Sequence, residues 1–320
     1  MELYRELSEV PADFGPSVVT IGNFDGVHTG HAEVLGTVVR LARENKLVSA
    51  AISFDPHPSQ VHRPESAHIE IMGQQDRQRF FRELGLDCYL LIHYTLEFSR
   101  QSPEEFVRSV LVETLNARYV VIGDDVRFGH KNSGDLSTMQ QLGEKYGFTV
   151  VAIADLMADE THRTSSTRIR ELLEAGNVEE AGRLLGRPHL MTGEIIHGEA
   201  RGRELGFPTA NMAFDSSGYV PADGVYAGWL IDENGTRHPV ATSVGTNPTF
   251  EGVNRRTVEA HVIGRPEEPV ENFNLYGQKV SLEFTHHLRP MVAYTGVEAL
   301  IEQMNQDVDD AKRLLGLDSE

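Results

Sequence analysis

A strand, a glycine-rich turn and a helix follow one another in residues 17–31, where the chain reads SVVTIGNFDGVHTGH. The apolar run Ser17–Ile21 predicts a buried strand, and apolar residues recur at helical spacing between His31 and Glu44. In an open sheet of parallel strands, ligands bind beyond the carboxyl ends of the strands, where this turn lies. The turn therefore predicts a site for an anion such as phosphate.

The alternation of strands and helices continues through the first half of the chain. Apolar runs predict further strands at residues 47–54, 88–94, 119–122 and 148–153. Helices are predicted at residues 76–84, from 103 onward after a capping box at Ser102, and at 167–185 with a break near Gly176. This order predicts a doubly wound α/β domain with a parallel sheet covered on both faces.

The pattern changes beyond residue 187. Short alternating runs at residues 225–229, 257–263 and 279–284, punctuated by Gly, Pro and Asn, predict a small antiparallel β-barrel. An amphipathic helix ends the chain, and Thr295 with Glu298 predicts a capping box at its start. We place the boundary after Gly186, giving domains of residues 1–186 and 187–320.

Composition narrows the class of partner. Lys and Arg total 29 against 48 for Asp and Glu, so the 320-residue chain carries a net charge of −19 and should repel nucleic acid. The single cysteine, Cys88, allows no internal disulfide, and neither a secretory signal nor an apolar span is visible. We expect a cytoplasmic protein with no membrane association.

Two histidines mark the first candidate site. His28 and His31 lie three residues apart at the predicted helix start, so both imidazoles can face one phosphate group and stabilise its charge. Gly22 and Gly26 allow the backbone to approach closely. Two capping histidines, or a metal pair that lacks a third neighbouring ligand, are the alternatives.

The string at residues 22–31 resembles the GxFDGVHxGH signature of nucleotidyltransferases, and more closely the bacterial bifunctional riboflavin kinase/FAD synthetase family. Residues 53–58 (SFDPHP), 123–129 (GDDVRFG) and 165–170 (SSTRIR) resemble later segments of that family in the same order, with Val126 in place of its usual Phe. The resemblance implies a Rossmann-like domain with His28 and His31 as catalytic residues. It implies ATP binding by Gly22, Asn23, Phe24, Asp25, Gly26, Ser165, Ser166, Thr167 and Arg168, and flavin binding by Pro56, His57, Asp125 and Phe128.

The second half contains GRELGFPTAN at residues 202–211, which resembles the riboflavin kinase signature of the same family. That resemblance implies ATP binding by Gly198, Gly202, Arg203, Gly206, Phe207 and Pro208, and Mg²⁺ binding by Thr209 and Asn211. It also implies that Glu259 is the general base. Taken alone, Thr209 and Asn211 fit an ordinary turn and Glu259 a solvated strand face, and Asn274 replaces a family Asp.

The resemblance implies two successive reactions that use ATP and Mg²⁺. The barrel would phosphorylate riboflavin to FMN, and the α/β domain would transfer AMP from ATP to FMN, giving FAD and pyrophosphate. Two alternatives remain open at this point: a chain in which only one half is active, and a non-catalytic flavin carrier, which would need neither magnesium ligands nor a base.

Overall fold

The computed structural model describes residues 1–65, 69–154, 164–198, 207–248, 254–265, 274–292 and 294–317, without the side chains of residues 246–248 and 254–255. Contacts divide the chain into two compact units. Unit 1 comprises Met1–Ile69 and Gln74–Ser165, and unit 2 comprises Glu70–Gly73 and Ser166–Glu320. The domain boundary at Gly186 remains a prediction, because this division by contacts groups residues 166–186 with unit 2.

Unit 1 contains a six-stranded sheet in which every pairing is parallel. Its strands are β1 (Glu2–Tyr4), β2 (Ser17–Ile21), β3 (Val48–Asp55), β4 (Cys88–His93), β5 (Ala117–Gly123) and β6 (Thr149–Ile153). Their order is β1-β4-β3-β2-β5-β6. The sequence predicted five of the six, because β1 has only three residues and shows no alternation.

The helices of unit 1 are α1 (Thr29–Asn45), α2 (Pro58–His62), α3 (Gln74–Leu84), α4 (Pro103–Phe106), which continues as a π-helix over Val107–Thr114, and α5 (Leu136–Tyr146). The predicted capping box at Ser102 is confirmed, since Ser102 and Glu105 exchange hydrogen bonds there. Central strand β2 is buried from Ser17 to Thr20, as expected for a sheet covered on both faces. The predicted doubly wound class is therefore confirmed.

The order in which the chain adds strands to the sheet reverses at β2. From this strand the chain moves through β3 and β4 on one side and through β5 and β6 on the other. Such a reversal opens a crevice at the carboxyl ends of the two strands that flank it, here β2 and β5. The turn after β2 and the segment that follows Gly123 both lie at that edge.

Unit 2 is built around a closed antiparallel barrel with the order β10-β11-β8-β7-β12-β9. The strands are β7 (His189–Ile196), β8 (Thr209–Met212), β9 (Gly224–Ile231), β10 (Arg237–Pro248), β11 (Asn254–Val262) and β12 (Lys279–Arg289). Closure depends on Gly228, because a Cβ there would lie 1.8 Å from the carbonyl oxygen of Glu283 on the neighbouring strand. The predicted barrel is confirmed.

Among the described residues of unit 2, the helices are α6 (Ser166–Glu174), α7 (Val178–Leu185) and α8 (Val297–Leu314). The break predicted near Gly176 separates α6 from α7, and Asn177 caps α7. The capping box predicted at Thr295 is wrong: α8 begins at Val297 and its N-cap is Gly296, which forms no side-chain hydrogen bond. Thr295 stands one residue too early to cap this helix.

Burial of His189 in the barrel gives unit 2 a pH-dependent stability. Its imidazole donates a 2.7 Å hydrogen bond to the carbonyl oxygen of Tyr219, and burial lowers the pKa of His189 to about 4. Between pH 6.5 and 4, His189 is protonated in the unfolded chain but stays neutral in the folded chain. The free energy of unfolding of unit 2 should therefore fall as the pH falls through this range, by about 1.4 kcal/mol per pH unit.

Urea unfolding at several pH values between 7 and 4 measures this slope. His189→Gln should reduce this slope by the contribution of about one proton. His93→Gln, which replaces an exposed histidine on β4, is the control. Equal slopes for His189→Gln and the parent chain would contradict the assignment.

Candidate active sites

The turn after β2 runs directly into α1, and His28 is the N-cap of that helix. Its Nδ1 accepts a hydrogen bond from the backbone N–H of His31 at 3.3 Å. A neutral imidazole that accepts at Nδ1 carries its proton at Nε2. The capping bond therefore leaves His28 with an N–H donor on the opposite side of the ring.

His31 stacks on His28, with ring centroids 3.6 Å apart and an interplanar angle of 18°. The Phe24 ring packs edge-on against His31 at 5.3 Å. Burial, with smaller contributions from the charges of His28 and Arg77, lowers the pKa of His31 well below its ordinary 6.5, so this imidazole is neutral at pH 7. Its Nδ1 is buried and has no hydrogen-bond partner among the described residues.

The backbone of the turn adopts an unusual conformation. Phe24 and Val27 have positive φ angles of 50° and 41°, although neither is glycine. The side chain of Asp25 is only 2% exposed, and its Oδ1 lies 3.8 Å from the guanidinium of Arg77 on α3. The carboxylate thus faces the interior, and the turn offers a phosphate its backbone N–H groups and the two histidines.

The residues predicted to bind flavin follow the strands on either side of β2. Pro56 and His57 come after β3, and His57 Nδ1 caps α2 by accepting the N–H of Ser59 at 3.2 Å. Asp125 is exposed beyond the end of β5, whereas Phe128 is 7% exposed and packs against Phe106 in the core. All four lie at the carboxyl edge of the sheet, and their contact with flavin remains a prediction.

Three aromatic residues at this edge were missed in the sequence. Phe54, Tyr94 and Phe98 form a cluster with ring centroids 5.4–6.0 Å apart, at and just beyond the ends of β3 and β4. The sequence does show aromatic residues near the ends of two predicted strands. Whether these side chains contact each other depends on the strand order, which hydrophobic periodicity does not reveal.

The SST string lies at the start of α6, which begins at Ser166. Arg168 is half-buried and forms an ion pair with Glu171 at 3.1 Å on the same helix. Ser165 closes unit 1 and Ser166 opens the continuous part of unit 2. Their role in ATP binding, and that of Thr167, remains a prediction.

Strands β8 and β11 bring the predicted kinase residues together. Glu259 pairs with Asn211, and His261 pairs with Thr209. The Thr209 hydroxyl donates to the Glu259 carboxylate at 3.3 Å, and Asn211 Nδ2 lies 3.4 Å from the Thr209 hydroxyl oxygen. A half-turn of the Asn211 amide presents its oxygen at the same place. Hydroxyl, amide and carboxylate oxygens are hard donors that fit Mg²⁺.

Two further residues support this arrangement. A Cβ on Gly198 would lie 2.5–2.6 Å from the amide atoms of Asn211, so the asparagine packs directly on the glycine backbone. His261 donates a 3.0 Å hydrogen bond to the Pro208 carbonyl oxygen, and burial lowers the pKa of His261. This histidine, missed in the sequence, ties the strand that bears Glu259 to the segment before Thr209. Gly202, Arg203 and Gly206 lie outside the described residues.

A cavity of about 270 Å³ opens beside these residues. Thr209, Glu259 and His261 line it together with the apolar side chains of Phe207, Met291, Val292, Leu300, Met304 and Val308. Arg289 on β12 forms two 2.7 Å hydrogen bonds to Asp307 on α8, and this pair also lines the cavity. The cavity therefore combines a polar cluster that includes a carboxylate with an apolar wall contributed largely by α8 and the segment before it.

Comparison with known proteins identifies the family of the chain. A family model described as FAD synthetase matches residues 10–168, and one described as riboflavin kinase matches residues 185–315. Proteins named bifunctional riboflavin kinase/FMN adenylyltransferase are 30% identical in Buchnera aphidicola subsp. Schizaphis graminum, over 99% of this chain and 100% of theirs, and 33% identical in Bacillus subtilis, over 93% and 92%. The chain belongs to this family. The resemblance described from the motifs is thereby confirmed.

A solved structure has the same fold along nearly the whole chain. The crystal structure titled macrolide-efflux protein from Streptococcus pneumoniae matches with a TM-score of 0.85 and 28% identity, covering 97% of this chain and 98% of that one. In the part of the chain that the structure describes, no helix is both long and apolar enough to cross a bilayer. The described residues also contain no cluster of three His, Cys, Asp or Glu side chains able to hold a metal.

The close packing of Asn211 on Gly198 yields a test of the oxygen cluster. Gly198→Ala should push the Asn211 amide away from Thr209 and raise the Mg²⁺ concentration needed for half-saturation by about 10–100-fold, as expected when a ligand loses its support. A titration that follows the Asn211 side-chain amide by NMR measures this change. Gly36→Ala, where an added Cβ meets nothing within 4 Å, is the control, and an unchanged curve for Gly198→Ala would contradict the assignment.

Proposed function

We propose that the chain converts riboflavin to FAD in two ATP-dependent steps. Unit 2 phosphorylates riboflavin to FMN, and the site on unit 1 transfers AMP from a second ATP to FMN, releasing pyrophosphate. One observation supports the proposal: two chemically different arrangements suited to phosphate occur in separate units. One is a helix start with stacked histidines, and the other is a strand pair with Glu259 next to Thr209 and Asn211.

The kinase step uses the carboxylate beside the cavity. The apolar wall takes up the flavin ring, and the ribityl 5′-hydroxyl faces Glu259. Glu259 accepts the hydroxyl proton while the oxygen attacks the γ-phosphorus of ATP, and the bond from that phosphorus to the bridging oxygen breaks to release ADP. A magnesium ion bound by Thr209 and Asn211 would neutralise charge on the triphosphate.

The adenylyl transfer requires no strong base. A phosphate monoester such as FMN is largely ionised near neutral pH, so its oxygen attacks the α-phosphorus of ATP directly and pyrophosphate leaves. The N–H groups at the start of α1 and the Nε2–H of His28 stabilise the charge on the phosphates. Neutral His31 holds the His28 ring by stacking. Alignment and charge stabilisation provide the rate.

The remaining features of the proposal concern the surroundings of the enzyme. The net charge of −19 favours magnesium-neutralised ATP over the free anion, and it disfavours nucleic acid as a partner. We propose a cytoplasmic location, Mg²⁺ as the metal, and self-association that is weak if it occurs.

In the direct test, the chain is incubated with riboflavin, ATP and Mg²⁺ and the flavins are separated by chromatography. FAD as the final product supports the proposal, FMN alone supports a kinase with an inactive first unit, and unchanged riboflavin supports a carrier. In the same assay Glu259→Gln should slow FMN formation by roughly 100–10,000-fold, because the proton acceptor is lost, and leave conversion of added FMN to FAD intact.

A matched control for this variant is Glu194→Gln, which changes an exposed carboxylate on β7 and should leave both steps unchanged. Loss of both activities in Glu259→Gln, in a protein that melts at the same temperature as the parent, would contradict separate sites.

His28→Asn separates the two roles of His28. Asparagine is a good N-cap residue and should keep α1 intact, but it lacks the imidazole Nε2–H. We expect FMN adenylylation to slow by roughly 100–1,000-fold, the usual effect of losing one charge-stabilising donor, and riboflavin phosphorylation to be unaffected. Kinetics with each substrate measure both steps, and the exposed His130 provides the control His130→Asn. An unchanged adenylylation rate in His28→Asn would exclude His28 as a donor.

A further inference from the structure

Arg77 is a buried cation directly behind the phosphate-binding turn. It lies on α3, one helical turn before Phe81, and its side chain is 2% exposed. Arginine is rarely buried in this way unless an opposite charge and hydrogen bonds compensate for its lost hydration. Its position on the buried face of α3 therefore calls for a structural reason.

α3 contacts two successive residues of the turn. Arg77 lies 3.8 Å from Asp25, whose side chain is equally buried, and Phe81 packs edge-on against Phe24 with ring centroids 5.6 Å apart. α3 thus places the Arg77 guanidinium beside the Asp25 carboxylate and the Phe81 ring against Phe24.

The turn needs such support because of its backbone. Phe24 and the β-branched Val27 both have positive φ angles, a conformation that costs free energy and persists only where surrounding contacts enforce it. Asp25 stands between these two residues, so an ion pair at Asp25 holds the middle of the strained segment. The segment ends at His28, the cap of α1.

The charge of Arg77 also acts on the histidine pair. It is one of the groups that lower the pKa of His31, and it therefore helps keep that imidazole neutral. In a chain with a net charge of −19, it adds a local positive potential at the place where phosphates would bind.

We infer that Arg77 is a positioning residue for adenylyl transfer, which acts through Asp25 to hold the turn and its histidines in the geometry that receives the phosphates of ATP. This inference rests on the proposed adenylyl transfer. Arg77 is not a ligand in this scheme, because its guanidinium lies in the interior beside Asp25.

Arg77→Met tests the inference in the full chain, with conversion of FMN to FAD and of riboflavin to FMN measured separately. We expect kcat of adenylyl transfer to fall by roughly 100-fold, as when reacting groups are misplaced by about 1 Å, while the kinase step is unchanged. Arg77→Lys should recover part of the rate, because it restores the charge without the forked geometry. Arg79→Met is the matched control, since Arg79 lies on the same helix but is exposed.

A double variant separates positioning from simple charge compensation. Arg77→Met removes the cation beside buried Asp25 and should lower the melting temperature, whereas Arg77→Met with Asp25→Asn removes both charges. If Arg77 positions the turn through Asp25, the double variant is folded and about as slow as Arg77→Met. Wild-type adenylylation by the double variant, an unchanged rate for Arg77→Met, or an equal loss for Arg79→Met would overturn the inference. Failure of the proposed function itself is distinct, because the parent chain would then form no FAD.

Discussion

Repulsion between the protein and its substrates sets the main constraint on this molecule. A chain with a net charge of −19 must hold ligands that carry several negative charges of their own, so each phosphate site has to overcome the general field with local groups. In the proposed sites, unit 1 would do this with the N–H groups at the start of α1, and unit 2 with a cluster of oxygen atoms suited to a divalent cation.

The two solutions use the backbone differently. In unit 1 the strand order reverses at β2 and leaves a crevice there. The turn at this crevice is held by the packing of Phe81 on α3 against Phe24. In unit 2 the antiparallel register of β8 and β11 sets Asn211 opposite Glu259, so strand pairing alone brings the residues together. A turn needs support from neighbouring elements, whereas a paired strand receives it from its own hydrogen bonds.

Much of this could be predicted from the sequence, because the decisive patterns are local. Local patterns were enough to predict a strand at Ser17–Ile21, a helix start at Ser102 and a strand around Glu259. The order of the motifs identified the family. What was missed depends on contacts between distant segments. β1 is too short to show a hydrophobic period. The burial of Arg77 cannot be inferred from its place in a helical pattern. The cavity beside Glu259 forms only when α8 packs there and supplies part of its wall. The cap at Thr295 failed by one residue, within the usual uncertainty of helix ends.

The capping bond at His28 has a consequence for which amino acids this position can accept. The helix needs a lone pair on one side of the side chain, and a phosphate bound as proposed would need an N–H on the other. Aspartate, serine and threonine supply the first and lysine the second, while the carboxamide of asparagine carries both on the same end. Among the twenty side chains, neutral imidazole alone carries the two on opposite edges of a rigid ring.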